Sequence, residues 1–177
     1  MNGISVDILV LLIKGIPEGF LVALAIHVIT GTKVEWKKYL LLSGIYILAT
    51  YLIRFLPITL GINTVLSLFV LIFAFQIVHR AALSQVIRAV IASVIILVMI
   101  AFSEVLNVLL LTAMYGREPA EKLFTSPDGF TRALYSTPST IFFALMVVAG
   151  YFVMRAVAKR KALKAAQADT PPQEPQA

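Results

Sequence analysis

Between Val86 and Met114 the chain carries only two charged residues, Arg88 near one end and Glu104 towards the other, in a run long enough to cross a lipid bilayer. A membrane-spanning helix needs about 20 mainly apolar residues to traverse roughly 30 Å of hydrocarbon. Five stretches meet or approach that requirement: residues 4–29, 39–56, 60–78, 86–114 and 141–156. Hydrocarbon offers no water to bond to the peptide groups, so each such stretch has to satisfy its own backbone, which a helix does.

Composition agrees with the pattern. With 60% hydrophobic and 14% charged residues and a mean hydropathy of +0.94, the chain has too little polar surface for a soluble domain of this size. It lacks Cys, which excludes disulfides, thiol nucleophiles and Cys-based metal sites, and its two His residues, His27 and His79, are too few for a His cluster. No metal and no cofactor is expected. The expectation is an all-α, polytopic transmembrane helix bundle over residues 1–156, with an outer loop over 116–140. A cytoplasmic tail over 157–177 should be basic at first and then disordered. No basic region precedes the first apolar stretch, which carries Asp7, Lys14 and Glu18, so it reads as a retained helix rather than a cleaved signal.

Lys and Arg concentrate in short cytoplasmic loops, which orients the bundle. Lys33, Lys37, Lys38, Arg80, Arg88, Arg155, Lys159, Arg160, Lys161 and Lys164 fall on one side of a five-span arrangement, ten of the 15 basic residues. The other side holds Arg54, Arg117, Lys122 and Arg132, with Lys14 inside the membrane. This asymmetry predicts an outside N-terminus, a cytoplasmic C-terminus and a place in the plasma membrane. It also assigns the net charge of +6 to topology rather than to nucleic acid. Trp36, Tyr39, Tyr115 and Tyr135 fit aromatic belts at the two interfaces.

Ionisable groups inside hydrocarbon cost about 3 kcal/mol each on insertion scales and mark candidate functional sites. Asp7, Lys14 and Glu18 lie within about 40° of one helical stripe, so one face of the first helix must look into the bundle. Pro17 lacks an N–H and leaves the Ile13 carbonyl without its helical partner, while Gly15 and Gly19 permit local unwinding or close helix approach. A kink at Gly15, Pro17 and Gly19 follows. On the fourth helix Ser93, Glu104 and Asn107 keep within about 60° of one stripe and should face the same neighbour. Lys14 and Glu104 each lie about ten residues from an outer end, so an interhelical pair is available to them, as is a pair between Lys14 and Glu18. Arg54 either snorkels to the outer interface or faces an outer pocket. Lys14, Glu18, Arg54, Glu104 and Asn107 form the candidate polar cluster, with structural glue between helices as the alternative.

Two short helical pieces are readable between residues 116 and 140. One opens at Glu118 and Pro119 and runs to Phe124; the other opens at Ser126, Pro127 and Asp128 and runs through Leu134. Phe130 and Leu134 give the second an apolar face for the outer leaflet or the bundle top, where it would act as connector or cover. Past Ala156 the basic residues should continue the last helix into the inner-leaflet surface.

Ile-Lys-Gly-Ile-Pro-Glu-Gly from Ile13, Ile-Arg-Phe-Leu-Pro-Ile from Ile53 and Glu-Val-Leu-Asn-Val from Glu104 resemble the membrane-embedded sensor regions of bacterial peptide-quorum-sensing (Agr-type) histidine kinases. The resemblance implies an outward-looking membrane region for a small peptide, followed in that family by a cytoplasmic kinase unit. No phosphoacceptor-His region or ATP-binding motif follows Ala156, so the expectation is a non-enzymatic sensor or accessory subunit. Its partners would be the bilayer, a small extracellular ligand or peptide, a cytoplasmic or membrane signalling protein, and a second copy in a homodimer. The alternative is a small transporter or transporter subunit using intramembrane Glu and Lys. An intramembrane enzyme has no motif in its favour.

Overall fold

The computed structural model describes residues 11–53, 60–80, 82–124 and 126–168, with side chains through residues 11–53, 65–80, 82–124 and 126–160. Asp7 and Arg54 lie outside the described residues. Every regular element among them is helical: α1 (Leu11–Thr30), α2 (Trp36–Ile53), α3 (Leu60–His79), α4 (Leu83–Tyr115), α5 (Arg117–Phe124) and α6 (Gly129–Ala168).

Three of these helices are long and apolar enough to cross a membrane: Leu11–Thr30, Leu83–Tyr115 and Gly129–Arg160. The five expected spans are therefore met in part. Helix α2 opens on Trp36, Lys37 and Lys38 and includes Tyr39, Tyr46 and Tyr51, which dilutes its apolar character. In α3 the described apolar portion is Val65–His79. At 1.5 Å per residue the 40 residues of α6 extend about 60 Å, well beyond the hydrocarbon, so its two ends lie outside it.

The outer loop expected over 116–140 is corrected. Gly116, at φ 87°, ends α4 and admits the short helix α5, and residues 129–140 form the first turns of α6. Asp128 starts that helix by accepting the N–H groups of Phe130 and Thr131 and the Thr131 hydroxyl, and these bonds hold its carboxyl below the usual carboxylate range. Pro138 then sits inside the helix without ending it. The hydroxyls of Ser136, Thr137 and Ser139 donate to the carbonyls of Arg132, Ala133 and Ser136, so this polar stretch satisfies itself along the helix and needs no loop. Phe130 and Leu134 remain exposed on its outer surface.

Helix α1 is the centre of the bundle. It packs against α2, α4 and α6, while α3 closes the far side by packing on α2 and α4. A third of its most apolar window (33%) is buried, against 22% in α4 and 11% in α6. Val22, Ala23, Ala25 and Ile26 of α1 meet Leu42, Leu71, Phe75, Ala89, Ala92, Ile96, Phe143 and Val147 in one core. Lipid provides little drive to bring helices together, so small residues matter where backbones approach. Ala89 and Ala92 serve that role on α4, but a methyl group added to Gly44 would meet nothing within 4 Å, nor would one added to Gly150. The close approach is at Gly19, where an added Cβ would overlap Ile47 Cγ1 of α2.

At its C-terminal end α1 stops at Gly31, whose φ of 70° is left-handed and whose N–H bonds the His27 carbonyl. Thr30 returns its hydroxyl to the Ile26 carbonyl at 2.6 Å. Gly19→Ala should therefore destabilise the bundle by about 1–3 kcal/mol of overpacking. Thermal unfolding in detergent checks this, with Gly44→Ala as the neutral control and Gly19→Ala with Ile47→Ala recovering most of the loss.

Candidate functional site

The N-terminal part of α1 is wound irregularly for a reason legible in its residues. Pro17 lies in the first turn of the α-helical portion and brings no N–H, so the turn before it lacks one hydrogen bond. Residues Leu11–Gly15 are wound as π-helix, the wider form that recurs at functional sites in helices. Lys14 lies in this wide turn, and its ammonium reaches α4, where Nζ donates to Glu104 Oε1 at 3.2 Å. The Lys14 side chain is 16% exposed and that of Glu104 56%, so the pair bridges from the bundle interior to its surface.

Glu18 follows on the next turn of α1 and lines a crevice with Ile100 and Glu104 of α4 and Ser139, Thr140 and Phe143 of α6. Two carboxylates and two hydroxyls thus share one small space, with room for about one water-sized group. Thr140 Oγ1 is buried there without a hydrogen-bond partner among the described residues.

Glu104 and Asn107 both reach α6, as their spacing led one to expect: Glu104 lines the crevice with Ser139, Thr140 and Phe143 and also pairs with Lys14 of α1, while Asn107 bonds Tyr135. Asn107, 2% exposed, donates its Nδ2 to the Tyr135 carbonyl at 3.0 Å. Tyr135 sits one turn before Pro138, which offers no N–H to the adjacent Leu134 carbonyl. Ser93, expected on the same stripe, is buried and returns its hydroxyl to the Ala89 carbonyl at 2.8 Å.

The structure therefore brings Lys14, Glu18 and Glu104 together, with Asn107 one turn further along α4. Arg54 falls outside the described residues. No group of three or more His, Asp or Glu among the described residues is arranged to hold a metal ion. Sequence reasoning undervalued His27 and His79, whose rings meet at the inner end of the bundle. The depth matching that paired Lys14 with Glu104 would have paired them too, since each lies within the last turn of its helix. No family model, no curated protein and no solved structure matches the chain.

Replacing Asn107 by Leu removes its hydrogen bond to the Tyr135 carbonyl and should cost about 0.5–1.5 kcal/mol, read by thermal unfolding of the purified chain in detergent.

Proposed function

We propose that the chain is a non-enzymatic, multi-pass module of the plasma membrane that senses a small ligand or peptide through the cluster of Lys14, Glu18, Glu104 and Asn107, with Arg54 as a further member. In this reading about five segments span the membrane, the N-terminus lies outside and the C-terminus is cytoplasmic, following the distribution of Lys and Arg. The cluster then occupies the outer half of the bundle.

The observation that carries the reading is the ion pair between Lys14 and Glu104. It joins the π-wound turn of α1 to α4, and its Glu104 side is open to the bundle surface. The crevice beside it is too small to enclose a peptide. A ligand acts instead by competition: its carboxylate takes Lys14, or its amine takes Glu104, and the wide turn is released from α4. Because α1 packs on three other helices, a change in its outer end is felt across the bundle. Such a ligand shifts the equilibrium only through its different affinity for the paired and unpaired states. The basic stretch at the end of α6, with Arg155, Lys159 and Arg160 exposed, presents the response to a cytoplasmic or membrane partner.

A second reading, a small transporter, draws on the convergence of the Glu18 and Glu104 carboxylates with Ser139 and Thr140, a donor set suited to a coupling cation or proton.

The test is thermal unfolding of the purified full chain in detergent against culture-supernatant fractions and short synthetic peptides, with Lys14→Met and Glu104→Gln beside the wild type. Sensing predicts that a fraction raises the midpoint of the wild type and leaves both variants unchanged. Equal destabilisation of both variants at every pH with no ligand response would reduce the cluster to structural glue. Ion flux into proteoliposomes that depends on Glu18 or Glu104 would favour transport.

A further inference from the structure

At the inner end of the bundle His27 of α1 and His79 of α3 face each other through their Nε2 atoms, 3.1 Å apart, with ring centroids 5.0 Å apart at 68°. The backbones of α1 and α3 do not themselves pack together, so side chains alone connect them. His27 is 1% exposed, and Phe75 and Tyr39 set their rings edge-on to it. His79 stacks on Phe75 with a centroid distance of 4.6 Å.

The protons in this contact follow from its partners. His27 Nδ1 lies 2.6 Å from the Ala23 carbonyl, which only accepts, so Nδ1 carries a hydrogen. The neutral His27 ring then offers a lone pair at Nε2, and His79 Nε2 donates to it. A first added proton enters at His79 Nδ1 and leaves this bond intact, now strengthened by charge. A second has only His27 Nε2 left to occupy. It sets two N–H groups against each other and two positive charges in a closed corner, and the bond is lost.

We infer that His27 and His79 form a proton-operated latch, holding the inner ends of α1 and α3 together through one shared hydrogen and opening when both imidazoles are charged. The surrounding charges bear on it in opposite senses. Glu35, just before α2, favours the charged His79, while Lys38 on α2 opposes it and is itself bonded to Glu35 at 2.8 Å. Tyr39 of α2 directs its hydroxyl to the Phe20 carbonyl rather than to either imidazole. Helix α4 contributes Ala89 and Ala92 to the adjoining core and keeps Arg88 exposed; α6 contributes Phe143 and Val147 and keeps Arg155 exposed. Opening is therefore set by the two imidazoles and belongs to the acid side of their ordinary range. The latch lies at the opposite end of α1 from Lys14 and does not depend on the proposed ligand site.

The chain has no Cys, so labels can be placed at will. Spin labels at Lys33→Cys and Arg80→Cys, both exposed just past the two helix ends, report the α1 to α3 distance in the full chain reconstituted in nanodiscs. Between pH 7.5 and pH 5 the distance should widen by at least about 2 Å, the size of a common helix shift. His79→Gln keeps a donor for His27 Nε2 but cannot itself be charged, so it should hold the short distance at both pH values. His79→Ala should show the wide distance already at pH 7.5. An unchanged distance in the wild type, or the same widening in His79→Gln, would overturn the latch. So would a Zn2+-dependent shortening that requires both His residues, which would make the pair a metal site.

Discussion

Hydrocarbon supplies no hydrogen bonds, and nearly every irregular feature of this bundle is a solution to that constraint. Two prolines lie inside helices that have to stay helices. At Pro17 the missing bond is absorbed by winding the preceding turn as π-helix. Near Pro138 the Asn107 amide of a neighbouring helix donates to the Tyr135 carbonyl, and the hydroxyls of Ser136, Thr137 and Ser139 bond back along their own helix. Buried Ser43, Ser93 and Ser103 do the same on α2 and α4. These small side chains leave the packing surface nearly apolar and cost the bundle little.

The same constraint makes α1 the organising element. It carries Lys14, Glu18 and His27, none of which is comfortable facing lipid, and it is also the most enclosed of the three long apolar helices. Its N-terminal end is tied to α4 by an ion pair and its C-terminal end to α3 by an imidazole pair. Between them the helix is anchored by shape, through Val22, Ala23, Ala25 and Ile26 in the core and Gly19 against Ile47. Polar ties at the ends with close packing between them leave the ends as the places where a small chemical event can alter the arrangement. Ties of this kind are worth little each, so competition or protonation is sufficient to break them.

Much of the site was legible because depth in the membrane is legible. Counting residues from the helix ends placed Lys14 level with Glu104, and the two side chains meet. Gly19 was readable as a point of close approach, although its partner on α2 was not. Glu104 and Asn107 share a stripe within about 60° and both reach α6, while the second contact of Glu104, with Lys14, comes from a different helix. Over 116–140 the two short helical pieces read from the sequence are present as α5 and the start of α6; what the sequence did not show is that side-chain hydroxyls carry the second on through Pro138 into one long helix. Composition alone also gave His27 and His79 no weight, because two imidazoles matter only once their rings are known to meet.

The sequence by itself determined that this is an all-helical chain with membrane-spanning character and which polar residues lie within its apolar stretches, since hydrophobic length and the cost of burying charge act on each segment alone; of the five stretches it offered as spans, three are long and apolar enough in the structure. Only the tertiary structure decided that α1 is central, that Lys14 meets Glu104, and that His27 finds His79. Those choices depend on the rotation and spacing of helices, set by close packing at Gly19, Ala89 and Ala92, and a single strand of sequence does not encode the angle at which its neighbours arrive.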